Sequence, residues 1–161
     1  MRLLNSVCKV IADAYPYVPI YIKEVPNKFK RPSFFVTIPT DPREIKNRNV
    51  YGVRPTFQIV YFGERDEANQ VLAEPLYEAD SKLEELFLLS LAVPIIPKNE
   101  AEKKKRRYAK IESYTSQLRL DEGALYCNLT LNFTDDIPKH EQYDLMEDID
   151  MSIYREYEKE D

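Results

Sequence analysis

Apolar residues open the chain at helical spacing: Leu3, Leu4, Val7, Val10, Ile11 and Ala14, with Arg2, Asn5, Lys9 and Asp13 opposite them. That spacing predicts an amphipathic helix over residues 2–14, laying one stripe on a flat surface. Tyr15-Pro16 ends it. Val18-Pro19-Ile20-Tyr21-Ile22-Lys23 then reads as a short extended segment, and a proline without an amide hydrogen suits the edge of a sheet. Phe34-Phe35-Val36-Thr37-Ile38 is aromatic and β-branched and is bounded by Pro39, which predicts a strand of about five residues behind a basic approach through Lys28, Lys30, Arg31 and Pro32. Its antiparallel partner is 53–62, where Val53, Pro55, Phe57, Ile59 and Tyr61 alternate with Arg54, Thr56, Gln58, Val60 and Phe62, the period of two that a pleated strand imposes. Between them, 39–52 holds Asp41, Arg43, Glu44, Lys46 and Arg48. It reads as a long polar loop, an arm projecting into solvent or onto a partner.

Leu72, Leu76, Ala79, Leu83, Leu86, Phe87 and Ser90 predict a second helix with one buried face, Asp66 standing as its N-cap and Glu67 in its first turn. Pro75 falls inside this pattern, so the helix either kinks near Val71 or starts afresh with Pro75 in its first turn. The segment 92–97 is apolar and proline-bracketed, a short connecting strand. Residues 98–107 are the most charged run of the body and read as a solvated loop. A second hairpin closes the chain: 108–120 alternates loosely, Asp121-Glu122-Gly123 turns it, and 124–134 points Leu125, Cys127, Leu129, Leu131 and Phe133 inward. The expected fold is α+β, with two helices on one side of a mostly antiparallel sheet of about four to six strands.

Composition narrows the classes. The chain has 161 residues, 43% hydrophobic and 32% charged, which suits one globular domain with a real core. No stretch approaches the roughly 18 apolar residues of a membrane helix, and the N-terminus lacks the pattern of a secretory signal. The net charge of −5 is uneven: 135–161 carries 11 carboxylates against three cations, leaving +3 on 1–134. A body over 1–134 with an acidic tail over 135–161 is the expected organisation, the tail either solvated or lying along a neighbour.

Catalytic chemistry finds little to work with. His140 is the single histidine, so neither a Ser-His-Asp arrangement nor a multi-histidine metal site can be built from one chain. Gly52, Gly63 and Gly123 sit at turns or strand ends, which leaves no phosphate-cradling loop. Asp121 with Glu122, or Asp135 with Asp136, could hold a divalent cation, but paired acids at such positions are read first as turn chemistry. Cys8 and Cys127 lack ligand spacing and read as buried free thiols. The reading is a protein that is not an enzyme and uses no cofactor. Unpaired edge strands and a long exposed arm point instead to one subunit of an assembly.

Tyr15-Pro16-Tyr17-Val18-Pro19-Ile20-Tyr21, Glu24-Val25-Pro26 and Phe29-Lys30-Arg31-Pro32-Ser33-Phe34-Phe35-Val36 come after the first helix. With Asn47-Arg48, Phe57-Gln58-Ile59-Val60-Tyr61-Phe62 and the closing strand near Phe133, they resemble the phage tail terminator family of long-tailed phages and prophages of Gram-positive bacteria. The resemblance covers about residues 1–134, and it implies a homo-oligomeric ring, typically a hexamer, on the head-proximal end of the virion tail. Such a ring is assembled in the host cytoplasm, binds the tail tube protein on one side and a head-completion or neck protein on the other, and lets DNA pass without binding it specifically; no membrane is involved. Within it, Arg43, Lys46, Arg48 and Tyr51 of the arm, and Tyr143, Leu145, Met146 and Ile149 of the acidic tail, are the expected interface residues. The nearest alternative is a neck or head-to-tail connector. A nucleic-acid-binding protein using 98–107 stands further off, and a metal-dependent nuclease further still.

Overall fold

A computed structural model describes residues 2–22 and 24–138. The first helix, α1, spans Arg2–Ala14 as the periodicity requires, and Leu4, Val7 and Ile11 on its apolar stripe are buried. β1 (Ile20–Tyr21) runs parallel to β2 (Ser33–Thr40) at one edge of the sheet. β2 has eight residues where the sequence predicts about five, because its pairing with β5 (Thr56–Phe62) carries past Pro39 to Thr40 opposite Thr56.

The segment 39–52 is not a loop. It forms β3 (Arg43–Asn47) and β4 (Val50–Val53), joined by a two-residue turn at Arg48 and Asn49. Thr40 faces Thr56 and Arg43 faces Val53, three residues further on along each strand. The β2–β5 register therefore continues into the arm, and one long hairpin is interrupted on both strands at Pro42 and Pro55. A proline cannot donate to a ladder. The carbonyls at the break are still used: Arg54 N–H donates to Pro42 O at 3.0 Å, and Leu131 N–H to Pro55 O at 3.0 Å.

β7 (Tyr108–Arg119) and β8 (Ala124–Asp136) form the second hairpin, with Gly123 at φ +64° in its turn, a conformation glycine adopts without strain. Arg31 fixes that corner, its Nη1 donating to Gly63 O and Gly123 O while its guanidinium lies 5.3 Å and 5.4 Å from the Phe29 and Phe62 rings. β8 is the central strand: β5 and then β4 pair along one side, and β7 pairs along the other. β6 (Ala92–Pro94) pairs with β7. The sheet is mixed, with eight strands; the arm and the short β1 and β6 raise it above the expected number, and β1–β2 is its parallel pair.

The second helix, α2 (Ala73–Glu84), starts afresh, with Pro75 in the first turn where its missing N–H is not needed. Asp66 does not cap it. Its Oδ1 accepts Gln70 N–H at 2.7 Å and closes a turn over 66–70, while Leu72 holds the cap position without a side-chain bond. A π-helical turn (Glu85–Leu89) comes next and buries Phe87 against Tyr114. Leu76, Ala79 and Leu83 of α2 join α1, Phe34, Val36, Phe57, Ile59, Leu125, Cys127, Leu129 and Leu131 in one core, so both helices cover the same face of the α+β sheet. Cys127 is fully buried, its thiol pushed up to about 11 by that burial, whereas Cys8 is only half-buried; both are free.

Candidate assembly interface

The arm brings four expected residues onto one hairpin. Every residue of β3 is exposed. Arg43 and Ile45 stand opposite Val53 and Tyr51 on one face, and Glu44 stands opposite Gly52 on the other. Arg43 Nη2 donates to Asp41 Oδ2 at 2.9 Å, and Lys46 pairs with Glu44, whose carboxyl is held below its ordinary value by that hydrogen bond. The Lys46 stem lies over Gly52, where an added Cβ would stand 3.0 Å from Lys46 Cε. Arg48 is exposed in the turn and Tyr51 is half-buried. These ion pairs are exposed and screened by solvent, and hold the arm's shape only weakly.

Sequence reasoning passed over Ile45, which is 77% exposed at the centre of β3. Its signal was an isoleucine among charges, in a segment with no core to bury it. Leu89 and Leu91 are comparably exposed beyond α2, Leu91 at φ +60°.

At the base of the arm, on the sheet face away from the helices, Arg43, Lys46, Arg54, Glu44, Glu112 and Thr130 line an open groove. Arg54 donates to Glu112 Oε2 at 2.6 Å from Nη2 and 3.0 Å from Nε, and Asn132 Nδ2 donates to Oε1 at 2.8 Å. Those bonds, Arg54's first, hold the Glu112 carboxyl below its ordinary value. The same face carries Thr37, Gln58, Asn128 and Thr115 in one register row. Groove and face present hydrogen-bonding groups of mixed charge, and among the described residues no nucleophile and base stand together in them.

The charged run 98–107 is not simply solvated. It forms a short helix, α3 (Glu100–Lys103), capped by Asn99 Oδ1, which accepts Glu102 N–H at 2.9 Å. Asp135, expected in a solvated tail, is buried at the end of β8 beneath this run. Lys98 Nζ donates to it at 2.6 Å and Arg107 Nη1 at 2.9 Å, and Arg2 Nη1 stands 3.6 Å away. Arg2 also pairs with Glu102 at 2.5 Å, so α1, the loop and β8 share one ionic cluster. Burial alone would raise the Asp135 carboxyl, but the Lys98 and Arg107 hydrogen bonds outweigh it and leave it below its ordinary value. A carboxyl depressed in the folded state stabilises above its unfolded pKa of about 3.9 and loses that contribution as pH falls through the folded value. Asp135→Asn is therefore expected to destabilise the chain by about 2 kcal/mol at pH 7, less than a fully buried pair because Lys98 and Arg107 are partly solvated. The difference from the parent should shrink below about pH 4. Urea unfolding at pH 7 and pH 3 checks both points.

Tyr143, Leu145, Met146 and Ile149, with His140, lie outside the described residues. Among the described residues no group of three or more His, Cys, Asp and Glu side chains is disposed to hold a metal, and no helix is long and apolar enough to cross a membrane. The model of the family described as phage tail terminator protein matches residues 2–143. No curated protein matches the chain.

Proposed function

The chain belongs to the phage tail terminator family, a structural component of the virion tail, and on that premise we propose that it closes into a ring of six on the head-proximal end of the tail tube. The ring ends tube polymerisation and offers its outer side to a head-completion protein. The observation that carries the reading is the arm. It extends the β2–β5 hairpin beyond the core, exposes Ile45, and leaves the outer edge of β3 unpaired among the described residues.

Growth stops when a ring matches the tube on one side and shows a different surface on the other, and a ring closes through two unlike surfaces that fit each other. The β3 edge supplies one. β7 supplies a second, because β6 pairs with Tyr108, Ala109 and Lys110 and Leu91 O accepts Ile111 N–H, and beyond Ile111 no described strand pairs along that side. Arg43, Lys46, Arg48 and Tyr51 accordingly contact the adjacent subunit or the tube, and an apolar residue at the centre of a charged patch is the usual composition of such a contact. Native mass measurement of the purified chain with the tube protein tests the reading. A closed ring supports it, and a chain that stays monomeric at every ratio of the two proteins counts against it.

A further inference from the structure

A second surface, away from the arm, has a defined chemistry. Between α3 and β6 lies a groove of about 270 Å³, with exposed Pro94, Pro97 and Tyr108 contributing to its lining. Five cations, Arg2, Lys103, Lys105, Arg106 and Arg107, line it against one carboxylate, Glu102, which is paired with Arg2. Neither Lys105 nor Arg106 forms an ion pair with another described residue. The volume falls below that of small-molecule sites and suits one or two side chains of a peptide. An apolar floor within a cationic rim selects an acidic segment that carries apolar residues.

The chain contains such a segment. Residues 139–161 hold nine carboxylates against three cations, with Tyr143, Leu145, Met146, Ile149 and Ile153 spaced among them. Its starting point is fixed by the fold. Asp135 is bound by Arg107, which lines the groove, and Pro138 lies three residues later, a span of about 10 Å when extended. We propose that the groove between α3 and β6 is the docking site of the chain's own acidic segment, with an apolar side chain from 143–149 on the floor and the flanking carboxylates on Lys105 and Arg106. A tether this short raises the local concentration to the millimolar range, so weak contacts suffice and the same molecule is the favoured occupant. Docking of this segment does not depend on ring closure.

The test uses the full-length chain and a glutamate-specific protease, tracking the product cut after Glu147 by intact mass. Lys105→Glu combined with Arg106→Glu is expected to speed that cut about tenfold, because protection tracks the closed population. Lys104→Glu, one charge changed outside the groove lining, should change it less than about twofold. Tyr108→Ser removes part of the floor without altering charge and should also speed it, which separates docking from general charge effects. The parent's rate should stay constant from roughly 1 to 100 µM, as an intramolecular contact requires. Equal rates in the parent and the charge-reversed chain would overturn the proposal. So would protection that rises with concentration, which would assign the groove to a second copy.

Discussion

Replacing Ile45 with aspartate is expected to leave the monomer within about 0.5 kcal/mol of its original stability, yet to lower the yield of tails joined to heads about tenfold or more. The side chain is 77% exposed in a strand whose every residue is exposed, so its loss removes almost no burial from the isolated chain. In the proposed contact the position is the apolar member of the face it shares with Arg43 and Tyr51. A carboxylate desolvated there would lack a free partner, because Arg43, the cation on the same face, is already paired with Asp41. Urea unfolding of the monomer and a count of joined particles by electron microscopy read the two effects separately. Unchanged joining with unchanged stability would remove the arm from the interface; reduced stability would mean that the arm supports the fold itself.

Phe34→Ala carries the largest expected effect on folding, a loss of about 3–5 kcal/mol. Phe34 is fully buried, its ring centroid 5.0 Å from that of Tyr15 in an edge arrangement and 4.9 Å from that of Tyr61. The truncation leaves a cavity beneath the end of α1, and it removes aromatic contacts worth about 0.5–1.5 kcal/mol beyond area burial. For a chain of this size the melting temperature should fall by roughly 10 °C. A loss below about 1 kcal/mol in chemical denaturation would mean that the Tyr15 corner is not the well-packed junction described.

The elements legible in the sequence were those with one wet and one dry face. α1 announces itself through Leu4, Val7 and Ile11, and β8 through Leu125 to Phe133 at every second position. The arm escaped for the converse reason. β3 is wet on both faces, so no alternation of apolar and polar residues marks it, and Pro42 and Pro55 look like loop punctuation although they interrupt the two strands of a hairpin that continues past them, one residue out of step with each other. The placement of Arg43, Lys46, Arg48 and Tyr51 on a projecting element was readable from charge. Ile45 was not, because hydrophobicity reads as core until the fold shows none nearby. Asp66 misleads because an aspartate before a helix can close its own turn as well as cap the helix after it. The 98–107 run reads as solvated because its partners, Arg2 and Asp135, are distant in sequence, and ionic clusters of this kind depend on tertiary proximity alone.

Ring formation and joining both rest on one claim, that this chain sets where the tail tube stops. Tail lengths in lysates of phage lacking the protein test it most directly. Tubes of uncontrolled length that are not attached to heads are expected, with normal tails restored when the intact chain is supplied. Tails of ordinary length firmly joined to heads in its absence would contradict it.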